Sequence, residues 1–183
     1  YKDGDGSRVI VIGSGIDPHR DLNVVTGYNL STTNPYMCSD NNGHSTFVSG
    51  VMSGAGKGFI KGVAPKAEIC PIKLFDKNEL CEGRSLETAL CWAKDNFATA
   101  VLIDVEIYGT LPFYIKNIIK DIESEGVPVF INGKKNGKFD FNKYVVDFEN
   151  NSCWLDNWYK KAENIDVSMA LAVGLAVLVK EEN

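Results

Sequence analysis

Four short runs rich in β-branched residues constrain the fold of this chain more than any other feature. They read RVIVIG, EICPIKL, AVLIDVEI and VPVFI, and each is almost continuously apolar, as strands buried on both faces of a parallel sheet are. Two helical patterns lie between them, SLETALCWAKDNF with a Ser85 cap and PFYIKNIIKDIESEG from Pro112 to Gly126. The alternation predicts an α/β fold, a parallel sheet flanked by helices on both faces, with functional groups at the carboxyl ends of the strands.

Composition supports one folded domain and argues against a nucleic-acid partner. The 183 residues are 44% apolar, which is enough to bury a sizeable core and excludes a disordered or fibrous protein. Lys and Arg number 19 against 24 Asp and Glu, so the net charge is −5, and no run of four basic residues occurs. Because no linker, repeat or low-complexity segment divides the chain, we predict a single domain over residues 1–183.

Neither a membrane span nor a structural zinc site is expected. The most apolar stretch, SMALAVGLAVLV at residues 168–179, is only 12 residues long, which predicts a buried helix. The five cysteines form no CxxC pair and only two histidines are present, so zinc is not predicted. Cys70 and Cys91 stand in apolar surroundings and are expected to act as small hydrophobic residues. A disulfide between Cys81 and Cys91 is a hypothesis for a thiol count to test.

Four segments resemble those of a known family. They read GSRVIVIGSGIDPHRDL, TNPYMCSDNNGHSTFVSGVMSG, GVAPKAEICPIKLFD and, near the end, DVSMALAVGLAVL. In this order they resemble the subtilisin-like serine proteases, or subtilases, whose corresponding motifs read roughly VIDTGID, NGHGTHVAG, GVAPKA and GTSMASPHVAG. The resemblance implies a subtilisin-like fold in truncated form, shortened at both ends and between Lys135 and Ser168.

The resemblance also implies where the family's chemistry would lie. That chemistry needs an Asp that orients a His, a His that takes the proton of a Ser, and an Asn that stabilises the oxyanion. His44 in NNGHSTFVSG matches the catalytic His, expected at a helix start, and Ser168 in DVSMA matches the nucleophile. Gly13 stands at the Asp position, and Asp17 belongs to a different family position. The resemblance therefore implies that the carboxylate that orients the imidazole is missing.

Other parts of the implied cleft depart from the family as well. Lys135, or Lys134 in a shifted alignment, stands at the oxyanion Asn position. Asp166 would place a negative charge beside the oxyanion, although an Asp there is also an ordinary helix N-cap. In VLIDVEIYG, which corresponds to a family segment like VINMSLGG, Glu106 replaces a Ser and Tyr108 a Gly. Both would narrow the edge to which a substrate peptide adds as a strand, and we expect them to be binding residues.

The sequence offers one fragment of a calcium site. Asp21 in PHRDL matches a calcium-binding Asp of bacterial members of the family, but the partner loop GAGKGFIKG lacks the family's Asn ligand. One carboxylate cannot supply the six to eight oxygens that calcium requires. We therefore predict no metal and no cofactor.

Three functions are open at this point. The first is a catalytically inactive pseudoprotease that serves as a binding or structural module, with a polypeptide as the expected partner at the old cleft. The second is a weak serine endopeptidase that uses a residual dyad of His44 and Ser168. The third is a subunit of an oligomer or larger assembly, whose candidate contact residues are Trp154, Trp158 and Tyr159. Family members are most often exported, so the resemblance implies an extracellular or secretory location.

Overall fold

Six strands form one sheet in the part of the chain that the computed structural model describes. That part comprises residues 3–58, 61–75, 83–105, 107, 110–131 and 164–180, with residues 83, 84 and 164–168 described by their backbone. The strands are β1 (Arg8–Gly13), β2 (Asn23–Val24), β3 (Tyr28–Asn29), β4 (Glu68–Lys73), β5 (Ala100–Ile103) and β6 (Val129–Ile131). Their order is β2-β4-β1-β5-β6, with β3 also paired to β4, and every pair is parallel.

Four helices cover the two faces of this sheet, as the sequence predicts. They are α1 (His44–Ser53), α2 (Gly83–Asp95), α3 (Phe113–Ser124) and α4 (Asn164–Lys180). One face packs against α2 and α3 through a core that includes Ile10, Ile12, Ile72, Ile103, Leu90, Ile115 and Ile122. The other face packs against α1 and α4 through a core that includes Val9, Val11, Ile69, Leu102, Met52, Val173 and Val177. Successive strand residues enter opposite cores because side chains alternate along a strand.

Two helix starts differ from the sequence prediction. α2 begins at Gly83, so Ser85 is a helical residue and the prediction that it caps this helix is wrong. α4 begins at Asn164, so Asp166 and Ser168 lie inside the helix, and the N-cap interpretation of Asp166 is also wrong. Cap preferences alone do not fix a helix start, because the boundary of a helix also depends on its tertiary context.

The cysteines divide into buried and exposed thiols. Cys70 is buried as predicted; its thiol donates to the Thr26 carbonyl oxygen at 3.3 Å, and burial raises the pKa of this thiol to about 11. Cys91 is exposed and free, so both the apolar setting and the disulfide to Cys81 were wrong predictions. Cys81 itself lies outside the described residues.

The helices of the described residues are all too short or too polar to cross a membrane.

Candidate active site

The structure describes three of the predicted site positions. β1 ends at Gly13, α1 begins with His44 as expected, and Ser168 falls in the second turn of α4, where the backbone alone is described. The predicted positions Lys135, Glu106 and Tyr108 lie outside the described residues.

A buried carboxylate that the sequence analysis did not select stands next to Gly13. β1 and β5 are parallel neighbours with Ile12 opposite Ile103, so Asp104, the residue after β5, leaves the sheet beside Gly13. The Asp104 N–H donates to the Ile12 carbonyl oxygen at 2.8 Å, which continues the ladder by one residue. Asp104 is therefore at the carboxyl edge of the sheet, where parallel α/β folds place their functional groups.

The carboxylate of Asp104 binds the imidazole of His44. Oδ1 lies 2.9 Å from His44 Nε2, and Oδ2 accepts a hydrogen bond of 2.6 Å from the hydroxyl of Ser45. The Asp104 side chain is 1% exposed, whereas the imidazole is 34% exposed and so borders solvent. An ionised carboxylate only accepts hydrogen bonds, so with Asp104 ionised this contact requires the proton on Nε2 of His44. The structure thus places a carboxylate beside the imidazole from position 104, while Gly13 itself supplies none.

The space in which a side chain at position 13 would lie is already filled. A Cβ added to Gly13 would be 2.4 Å from Ser45 Oγ and 3.4 Å from Asp104 Cβ. The family motif has a small Gly where this chain has Ser45. The hydroxyl of Ser45 therefore occupies the volume beside Gly13, and it donates a hydrogen bond to the carboxylate of Asp104.

Hydrogen bonds fix the start of α1 and with it the backbone of His44. Ser14 and Ser45 exchange two bonds, from each backbone N–H to the other's hydroxyl, at 3.2 and 3.3 Å. The carboxylate of Asp40 accepts from the N–H of Thr46 at 2.9 Å, its hydroxyl at 2.6 Å and the N–H of Gly43 at 3.0 Å. Burial raises the pKa of Asp40, but hydrogen bonds from Thr46, Ser14 and Gly43 outweigh burial and lower this pKa overall.

A buried lysine ties together the loops at this edge. Lys73, the last residue of β4, lies opposite Gly13 and is 3% exposed. Its ammonium group donates to the carbonyl oxygen of Ser14 at 2.8 Å and to that of Ser39. A buried charge is tolerated when it is hydrogen-bonded in this way, and these bonds hold the segments before α1 against the sheet.

The Asp21 carboxylate is bound by backbone amides. It is 7% exposed and accepts hydrogen bonds from the N–H groups of Lys57, at 2.7 Å, and Gly58, at 3.1 and 3.0 Å. A calcium site needs oxygen ligands, whereas this loop presents donors to the carboxylate. Among the described residues, the structure contains no group of three or more His, Cys, Asp or Glu side chains that could hold a metal ion.

The protein is thus an α/β domain, with a parallel sheet between two helical layers and a helix-start imidazole at the carboxyl edge of the sheet. The model of the subtilase family matches residues 4–103, which is more than half of the chain. This protein therefore belongs to the subtilase family.

Curated relatives match this chain over part of their length, and a solved structure shares its fold. The minor extracellular protease Epr of Bacillus subtilis is 38% identical over 95 residues, which cover 51% of this chain and 14% of the relative. The thermostable alkaline protease of Halalkalibacterium halodurans is 34% identical over 94 residues, which cover 51% of this chain and 26% of the length of that protease. The nisin leader peptidase NisP of Lactococcus lactis superposes with a TM-score of 0.60 at 23% identity, over 72% of this chain and 44% of NisP. The chain thus spans less than half the length of these proteins.

Proposed function

We propose that this chain is a pseudoprotease, a subtilase-family domain that does not perform the family's peptidase reaction and serves as a binding module. The observation that carries the proposal is the contact between Nε2 of His44 and Asp104. In a Ser-His-Asp triad the acid binds Nδ1, and Nε2 takes the proton of the serine. Here the acid lies at Nε2 instead, and with Asp104 ionised Nε2 donates to it, so Nε2 is not the base that the family's reaction needs.

Two further substitutions support the loss of peptidase activity. Gly13 stands at the position of the family's acid, and loss of that acid alone lowers turnover on the order of 10⁴-fold. Lys135 stands at the position of the oxyanion Asn, so the family's amide donor, whose removal costs on the order of 10²- to 10³-fold, is replaced by a flexible ammonium group. The two reductions in turnover are not additive when the groups act as a unit, but either reduction alone is large.

A weak serine endopeptidase is the second candidate, and Asp104 is the observation that favours it. A carboxylate 2.9 Å from the imidazole stabilises the imidazolium that forms when His44 accepts a proton. A dyad of His44 and Ser168 would then retain part of the family's general-base chemistry.

Labelling with a fluorophosphonate serine probe distinguishes the two candidates. We expect no labelling that depends on Ser168: the wild-type chain and the Ser168→Ala variant should give the same background signal. An active bacterial subtilisin labelled in parallel shows that the probe works. Labelling of the wild-type chain that disappears in Ser168→Ala would contradict the pseudoprotease proposal and establish a working dyad.

The proposed ligand of the binding module is an extended polypeptide at the old cleft. Its support is the position of Glu106 and Tyr108 in the segment after β5, where the family receives its substrate strand. Peptides selected from a random library for binding to the wild-type chain should bind Glu106→Ala and Tyr108→Ala about tenfold more weakly, which is typical of an interface hot spot.

An aromatic residue at the other end of β5 provides a matched control for that experiment. Phe97 is 88% exposed and precedes β5, so Phe97→Ala removes an aromatic side chain at the opposite edge of the sheet. We expect this variant to bind the selected peptides as the wild-type chain does. Unchanged affinity of both cleft variants would move the binding surface elsewhere.

An extracellular location is part of the proposal, supported by relatives such as the minor extracellular protease Epr. A role in a larger assembly stays a prediction, because its candidate contact residues, Trp154, Trp158 and Tyr159, lie outside the described residues.

A further inference from the structure

Gly13 and Ser45, which both differ from the family motifs, are neighbours in the structure, and Asp104 lies next to both of them. Ser45 Oγ would lie 2.4 Å from a Cβ at position 13, and the same oxygen donates to Asp104 Oδ2 at 2.6 Å. An acid at position 13 and a hydroxyl at position 45 therefore compete for one volume, whereas a hydroxyl at 45 and an acid at 104 support each other.

We propose that Asp104 has taken over the positioning of His44 from position 13, and that it holds the imidazole through Nε2 so that Nδ1 is the proton-accepting nitrogen of this cleft. This proposal deepens the proposed function, because the same contact underlies the loss of the family's reaction. Asp104 acts through His44 and is a positioning residue.

The two oxygens of Asp104 have separate partners, and this fixes the orientation of the carboxylate. Oδ2 accepts from the Ser45 hydroxyl, which itself accepts from the Ser14 N–H at 3.2 Å. Oδ1 is thereby directed at His44 Nε2, at 2.9 Å. A carboxylate that is 1% exposed depends on such partners, since an unpaired buried charge is strongly destabilising. The contact with His44 is therefore built into the buried network.

The choice of nitrogen follows from where Asp104 stands. His44 is the first residue of α1, and Asp104 follows β5, so the carboxylate meets the outer end of the ring, which is Nε2. In a neutral imidazole one nitrogen carries hydrogen and the other accepts. With Nε2–H donating to Asp104, the acceptor is Nδ1, the opposite of the assignment in the family's triad.

NMR of the imidazole nitrogens in the ¹⁵N-labelled full chain tests this proposal without reading peptidase activity. The chain has two histidines, so His44→Gln assigns the signals and His19 serves as the internal reference. At a pH where the rings are neutral, we expect His44 to be the Nε2–H tautomer. An Nδ1–H tautomer in the wild-type chain would overturn the proposal, whatever any variant does.

The titration of His44 separates a positioning role from a structural one. Asp104→Asn removes the negative charge and should lower the midpoint of the His44 titration by about one pH unit. Ser45→Ala removes the bond to Oδ2 but keeps the charge, and should shift that midpoint much less. Asp17, Asp40 and Lys73, the charged groups that the described residues place around the start of α1, are unchanged in both variants. Equal midpoints in the wild-type chain and Asp104→Asn would overturn the proposal.

The tautomer of His44 and the labelling of Ser168 are separate results, and each can fail without the other. Labelling of Ser168 would refute the pseudoprotease proposal while the tautomer of His44 could still be as proposed. An Nδ1–H tautomer without labelling would leave the chain inactive but remove Asp104 as the positioning residue.

Discussion

We expect Gly13→Asp to destabilise this protein severely, although the substitution restores the residue that the family motif has at this position. The new Cβ would lie 2.4 Å from Ser45 Oγ and 3.1 Å from the Asp104 carbonyl oxygen, so the hydroxyl must leave its place between Ser14 and Asp104. The substitution also buries a second carboxylate next to one that is 1% exposed. Because a buried charge without its own partner costs about 3–5 kcal/mol, we expect a loss of that size in the free energy of unfolding, measured in urea.

Companion variants separate the steric effect from the electrostatic one. Gly13→Ala introduces the steric conflict without the charge and should cost about 1–3 kcal/mol, the usual range for overpacking. The triple variant Gly13→Asp, Ser45→Gly, Asp104→Asn removes both conflicts and should recover most of the stability. Asn is also the residue that the family segment VINMSLGG places at position 104. A Gly13→Asp variant as stable as the wild-type chain would show that positions 13, 45 and 104 are not coupled.

The sheet could be predicted from the sequence because its strands are continuous apolar runs. β1 has the predicted bounds Arg8–Gly13, and β4 and β6 fall within their predicted runs. Strands buried on both faces give this signal regardless of their neighbours. The bounds of α2 and α4 were less predictable, since a helix start depends on packing that no local pattern encodes.

The sequence did not single out Asp104, because this residue lies inside a run that predicts a strand. The run AVLIDVEI predicts β5 through residue 107, but β5 ends at Ile103 and Asp104 turns its carboxylate to His44. Two signals were present in the sequence: a charged residue in an apolar run, and the simultaneous loss of an acid at Gly13. Only the register of β1 with β5 brings these two positions together, and register is a tertiary property. His44 could be selected because its motif is local.

Asp21→Ala is the second substitution for which we expect a large loss of stability. The Asp21 carboxylate accepts hydrogen bonds from the Lys57 N–H and, through both oxygens, from the Gly58 N–H, and it is 7% exposed. Truncation leaves these amides without the acceptor that they have in the wild-type chain. Since a hydrogen bond to a charged group contributes about 1.5–3 kcal/mol, loss of the bonds to these two amides should cost about 2–4 kcal/mol of unfolding free energy in urea. Asp121→Ala, at an exposed position of α3, removes the same charge and should change stability by less than about 0.5 kcal/mol.

The same loop leads us to predict that calcium does not bind at Asp21. A cation at Asp21 would have to displace the amides of Lys57 and Gly58, and the space is limited, because a Cβ at Gly58 would lie 2.6 Å from Asp21 Oδ2. A ligand that binds only the folded state raises the unfolding free energy in proportion to the logarithm of its concentration. We therefore expect the same urea midpoint in millimolar calcium and in a chelator. A midpoint that rises with calcium would mean that the loop opens to form a cation site, and Asp21→Ala should then abolish the rise.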